Sequence, residues 1–352
     1  MKRFTALFLA IMMFASFPAC FAEENYLNQP PLRVATITAQ MGVYLQYAMD
    51  HDLFSKAGIN VEMSIFPGAV AINEAIGAGE LDGCIGGLGS VYAMANNMLV
   101  LLSEVDSVNA DGIVVRNDSD ILTAKGLVEG KPNMYGSADT LRGKSFICQV
   151  GQAQQFYISK YISQFGLTDE DITFVNMEDA SAYQAFIAGE CDVISTKMPY
   201  ILDLITKDNS TIVADVKEAT GIEIKDPILF TPDCIANRRE EVKIFLQVIH
   251  GVVEEMAKDP ALLEKAIVDY YTIIGKDTTP EALEYSLKMN QLIDMKRMQE
   301  DDYYAGDGFQ AVAEFYVSTG AIAESNLPNI VKNIDTSLVS EALGITVKGY
   351  GH

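Results

Sequence analysis

Few residues in this chain could do covalent chemistry. Histidine occurs only as His51, His250 and His352. His51 follows a charged helix tail, His250 sits inside an apolar helical run, and His352 closes the chain. None shares a predicted loop with a cysteine or a carboxylate cluster. No HExxH, GxSxG or P-loop pattern occurs. Cys84, Cys148, Cys191 and Cys234 are widely spread, with neither CxxC nor zinc spacing. Three of them lie in apolar, strand-like runs, where a thiol acts as a small buried hydrophobe. Disulfides among them are permitted in an oxidising compartment but not required. This reading expects no catalyst, no cofactor and no metal.

Binding chemistry is better represented. GQAQQFY places Gln152, Gln154 and Gln155 at a predicted helix start, and amides offer donors and acceptors together. Gln152 or Gln154 is the stronger binding candidate; Gln155 is the more exposed. STKMPYILDL carries Lys197, which either pairs with an anionic group of a ligand or makes a salt bridge to one of the many surface acids. Tyr44, Tyr92, Phe156, Tyr183 and Tyr200 are aromatic candidates for apolar walls, with Tyr92 and Tyr200 best placed.

These groups need a scaffold. Residues 1–22 show a basic start, an uncharged apolar run and a small-residue exit, the order of a signal peptide. Cleavage after Ala22 is the first reading, and a lipid anchor at Cys20 the second. The expected product is exported, extracytoplasmic and water-soluble. The formal charge is −23, more negative still without Lys2 and Arg3, which opposes binding to nucleic acid or anionic lipid.

The chain then writes one phrase twice. AINEAIGAGELDGCIGG begins at Ala71, and AYQAFIAGECDVIST begins at Ala182. Gly79, Glu80 and Asp82 match Gly189, Glu190 and Asp192. The glycines read as left-handed helix caps and the acids as turn formers. Around each copy the pattern is strand, helix, strand, helix, strand, which predicts two α/β lobes with mainly parallel sheets. Segments 109–118 and 226–240 are expected to cross between them. The C-terminal amphipathic helices are expected to pack on the first lobe.

Ligands of open parallel sheets sit beyond the carboxyl ends of the strands. Here that selects loops 38–44, 67–70, 86–92, 151–156, 177–181 and 196–200. Several lead into helix N-termini, where unpaired amide groups favour an oxygen-bearing ligand. The candidate binding residues are therefore Gln40, Met41, Tyr44, Gly68, Ala69, Gly87, Ser90, Tyr92, Gln152, Gln154, Phe156, Lys197 and Tyr200.

RVATIT with AMDHDLFSKAGINVE, AIGAGELDGCIG, LRGKSFICQVGQAQQFYISKYISQFGLTDEDITFVNM, FIAGECDVISTKMPY and ANRREEVKIFLQVIHGVVEEMAKDP, in that order, resemble the periplasmic substrate-binding proteins of ABC importers. The resemblance is to the nitrate, sulfonate, taurine and thiamine-pyrimidine branch, and covers nearly the whole mature chain. It implies a type II periplasmic-binding-protein fold, with two lobes joined by two crossing strands, a ligand in the cleft, hinge closure and delivery to an inner-membrane ABC permease. The domain expectation is 1–22 signal peptide, 23–111 with 233–352 as lobe 1, and 112–232 as lobe 2. The expected ligand is small and polar, anionic or zwitterionic, held by a monomer. At Lys197 and Met198 the chain departs from the aromatic and acid usual in the family. A ligand sensor for a membrane receptor is the alternative function. A pyrimidine-precursor synthase is the remaining one, although that enzyme's clustered cysteine motif is absent.

Overall fold

A computed structural model describes residues 25–107, 111–197, 199–276 and 278–352. The signal-peptide reading, with Cys20, and Met198 lie outside these.

Two five-stranded sheets organise the chain. The first contains β1 (Leu32–Ile37), β2 (Val61–Phe66), β3 (Gly83–Ile85), β4 (Val100–Ser107) and β10 (Lys225–Phe230). Its order is β2-β1-β3-β10-β4, with β10 antiparallel to both neighbours. The second contains β5 (Gly112–Arg116), β6 (Ser145–Cys148), β7 (Thr173–Asn176), β8 (Val193–Thr196) and β9 (Ser210–Asp215). Its order is β7-β6-β8-β5-β9, with β5 antiparallel to both neighbours. Each sheet is thus mainly parallel, and its one reversed strand is the one that arrives from the other lobe.

Both crossing segments differ from the sequence expectation. Residues 112–116 of the first form β5, paired on both sides within the second sheet. Residues 226–230 do not run between lobes. They form the buried strand β10, paired on both sides within the first sheet. The chain crosses back earlier, through the Val216–Thr220 helix and residues 221–224. An apolar run buried on both faces gains more between two strands than in an exposed link.

The duplicated phrase folds as a duplicated device. Gly79 (φ +73°) and Gly189 (φ +82°) end their helices in the left-handed conformation. Glu80 N–H then reaches Ala75 O, and Glu190 N–H reaches Ala185 O, satisfying carbonyls the helix leaves open. Asp82 Oδ2 accepts from Arg33 N–H at 2.8 Å, and Asp192 Oδ2 accepts from Ser145 N–H at 2.8 Å. In each lobe the acid ties the third strand's entrance to the first strand. These acids are structural. All four described cysteines are buried free thiols.

Of the C-terminal helices, Arg239–Lys258 and Pro260–Ile273 pack on the first lobe's Gly42–Asp50 helix, as expected. Pro280–Met289 and Asp307–Ser318 go further. They also touch the second lobe, against the Tyr200–Thr206 and Ala153–Ser163 helices.

Candidate functional site

A narrow cavity of about 50 Å³ lies between the lobes. Its walls are the loops that follow the parallel strands of both sheets, together with the two crossing regions. Gln40, Met41, Ala69 and Gly87 line it from the first lobe, and Gln152, Gln154 and Lys197 from the second. These residues are far apart in sequence, and the sheet geometry brings them together.

On the cavity wall, Gln152 has unspent hydrogen-bonding capacity. It is 7% exposed, caps the Ala153–Ser163 helix in an extended conformation, and its Nε2 has no partner. Its main-chain carbonyl accepts from Tyr316 Oη at 2.6 Å, a bond between the lobes. Gly151 (φ +84°) makes the preceding turn, and Gln155 Oε1 takes the Gly151 N–H at 3.0 Å. Gln155 is therefore a loop brace, and it does not line the cavity.

Gln40 is held in place by three side chains. Its Oε1 accepts from Ser286 Oγ at 2.5 Å and Asn290 Nδ2 at 2.9 Å, and its Nε2 faces Asp106 Oδ2 at 3.5 Å. The amide orientation that this network requires leaves Gln40 rigid.

Lys197 lies on the cavity wall, but its charge is already answered. Its Nζ is 2.7 Å from Asp179 Oδ2, with both side chains at or below 10% exposure. Burial alone would lower its pKa, yet the Asp179 charge more than compensates and holds it above the usual lysine value.

The other candidates do not line the cavity. Tyr44 is fully buried and donates to Asp106 Oδ2 at 2.7 Å. Gly68 instead faces Gln149 of the second lobe; a Cβ there would meet its Oε1 at 3.3 Å. Ser90 is 1% exposed and its hydroxyl sits beneath Gly86. Tyr92 packs on Tyr316 at 4.8 Å between ring centroids, and Phe156 on Phe315 at 5.5 Å. Tyr200 lies under Lys276 Nζ, 3.9 Å from its ring centroid. The aromatic candidates serve the core and the closed contact between lobes. Apolar area is better spent there than on a polar wall.

Sequence reasoning passed over Asp226, Asp111 and Asn290, all on the cavity wall. Asp226 was hidden by its assignment to a crossing segment. The available signal was a pair of charges, Lys225 and Asp226, opening an otherwise apolar strand. Asp106, near the end of β4, neighbours Asp226 on the adjacent strand β10, and each carboxyl acts on the other's ionisation. Burial raises both above the ordinary carboxylate range, Asp226 well above it, where the Asp106 charge adds to the effect. The two carboxyls therefore do not ionise independently of each other. His250, by contrast, is a core residue. Burial pushes its pKa down to about 3, and Nε2 lies 2.8 Å from Ser103 Oγ.

Gly89 is where the walls meet. A Cβ there would lie 2.6 Å from Gln152 Oε1 in the other lobe and 2.7 Å from Ala69 Cβ in its own. Gly89→Ala should therefore cost about 1–3 kcal/mol by overpacking, split between a first-lobe clash and a closed-form clash. Adding Ala69→Gly is expected to restore melting temperature but not closure, as read by small-angle scattering. Full recovery of closure would show that Gln152 yields freely.

Comparison with known proteins follows the same lines. A family model described as NMT1/THI5 like matches residues 38–262. A protein of Brachyspira hyodysenteriae described as an ABC transporter periplasmic binding protein is 26% identical over 313 residues, covering 89% of each chain. Among solved structures, the alkanesulfonate-binding protein SsuA of Xanthomonas axonopodis bound to MOPS superposes with a TM-score of 0.66 at 18% identity, over 86% of this chain and 97% of that one. The nitrate-binding protein NrtA of Synechocystis gives 0.69 at 13% identity, over 89% and 88%. At such identities the structures share the fold.

Proposed function

The chain belongs to the NMT1/THI5 like family, and on that premise we propose that it captures a small polar organic solute between its lobes and presents it to an inner-membrane ABC permease. The observation carrying this reading is the interlobe cavity, on whose wall Gln152 holds a buried amide nitrogen with no partner. A buried donor left unpaired costs about 1–3 kcal/mol, a cost that a bound acceptor would recover. The relative described as an ABC transporter periplasmic binding protein supports the delivery step. Among the described residues no helix is long and apolar enough to cross a membrane.

The wall's charges refine the solute class. Lys197 is spoken for by Asp179, while the Asp226 carboxyl stands on the wall with no cation bridged to it among the described residues. This favours a zwitterion over a simple anion. The role is binding, with no residue assigned to catalysis.

The cavity is far smaller than the roughly 300–1,000 Å³ of ordinary small-molecule sites, so the lobes must part for entry. The expected result is a fall in radius of gyration when the free protein takes up its solute. Native mass spectrometry of the protein purified without denaturation would identify that solute. Scattering that does not change with a confirmed solute bound would overturn the closure mechanism. Chemical turnover of the solute would overturn the assignment as a binder.

A further inference from the structure

Building on that capture reading, we propose that the Asp106–Asp226 carboxyl pair is the seat for a positively charged nitrogen group of the solute, an ammonium or amidinium. Asp226 stands on β10 and Asp106 on the neighbouring β4. The register between these strands slips between Lys225 and Pro227, at Asp226 itself. Such an irregularity re-aims a side chain, and Asp226 is on the cavity wall. A Cβ on Gly87, also on that wall, would lie 3.9 Å from Asp226 Oδ1.

Three other buried acids in this molecule have a cation beside them. Asp179 has Lys197, Glu104 has Lys225, and Glu241 has Arg238. Among the described residues, no salt bridge reaches Asp106 or Asp226. The charges that act most strongly on Asp226 are Asp106, Asp111 and Glu104, all acidic. Asp106 Oδ1 is buried with no donor, while Oδ2 takes Tyr44 Oη and faces Gln40 Nε2.

Two further buried groups lack partners, one on the cavity wall and one off it. Gln152 Nε2 is unpartnered on the cavity wall, and Tyr271 Oη is fully buried, unpartnered, and within electrostatic range of Asp106 and Asp111. Tyr157 also lines the cavity near Asp226 and Asp111, and aromatic rings beside carboxylates favour a cation. A nitrogen cation seated at the carboxyls would offset their charge in the way a bound proton does. The balance is one cation in and one proton out to buffer. The groups facing the pair are Tyr44, Gln40, Glu104, Asp111, Tyr157 and Tyr271, none of them cationic. Cation binding should therefore tighten as pH rises through the pair's titration.

The test has two arms. In the free protein, native Asp106 and Asp226 bind more protons than the unfolded chain, so their contribution to stability falls as pH rises above the ordinary carboxylate range. Asp226→Asn should flatten that fall and raise the melting temperature by roughly 2–4 °C at about pH 8. A lower melting temperature with an unchanged pH slope would mean a purely structural pair and would overturn the proposal. In the second arm, thermal shifts are measured with methylammonium, butylammonium, guanidinium and benzamidinium, beside acetate, butyrate, ethanesulfonate and benzoate. Cations should stabilise the parent and lose their effect in Asp226→Asn. Stabilisation by the anions alone would leave solute capture standing and overturn the cation seat. Stabilisation by none of the compounds would overturn both.

Discussion

Lys197→Ala is expected to cost about 3–5 kcal/mol of folding stability, because it strands Asp179 in a site without solvent. The ion pair is 2.7 Å long and both side chains are at or below 10% exposure. Asp179 opens the Asp179–Ile187 helix after β7, and Lys197 follows β8, so the pair spans the strand between them. Its loss should loosen the second lobe's half of the cavity wall. The sequence alone left two readings open, a ligand anion or a salt bridge to a surface acid. The structure moves the main effect to stability, because the lysine's charge is already neutralised locally. Denaturant unfolding of Lys197→Ala beside Lys197→Ala/Asp179→Asn decides the matter. The double variant should recover most of the loss, since a neutral amide tolerates burial better than an unpaired carboxylate. A single variant as stable as the parent would instead free Lys197 for the solute.

Lys225→Met should be comparably damaging in the other lobe, again about 3–5 kcal/mol. Lys225 is 1% exposed at its side chain, 3.8 Å from Glu104 Oε2 and 2.5 Å from Asp307 Oδ1. Glu104 also accepts from Tyr303 Oη and Gly306 N–H, both at 2.9 Å. The cluster locks β10, β4 and the start of the Asp307–Ser318 helix together. Burial already raises the Glu104 pKa, and Lys225 restrains that rise. Without Lys225, native Glu104 should keep its proton while the unfolded chain releases it. Native protein would then bind more protons than unfolded, so the penalty should grow from about pH 5 to about pH 8. Hydrogen exchange should report the loosening around residues 303–318. A penalty independent of pH would show that Glu104 stays ionised without its partner. Glu104→Gln in the same background should remove the pH dependence.

Both experiments concern charges whose partners sequence could not name. Asp179 and Lys197 are separated by two elements, and Glu104 and Lys225 by an entire lobe. A buried lysine and an exposed one look the same in a string of letters. Only burial makes the choice of partner worth kilocalories. The same holds for Tyr44, Phe156 and Tyr200. Their positions in loops and helix starts were legible, but not whether each ring turned to the cavity or the core.

Local chemistry, by contrast, was readable. Gly79 and Gly189 had to end helices because a left-handed residue was needed there. The repeated Gly-Glu-x-Asp phrase marked two copies of one α/β unit, and the loops after their strands supplied Gln40, Met41, Ala69, Gly87, Gln152, Gln154 and Lys197 to one cavity. The helix ends, the repeat and the choice of loops depend on neighbours a few residues away, so the sequence by itself determined them; the meeting of those loops in one cavity took the geometry of both sheets. Tertiary structure alone decided that β10 enters between β3 and β4, bringing Asp226 against Asp106 and onto the cavity wall. Strand order is set by how buried surfaces fit across the whole sheet, and no short-range pattern encodes it.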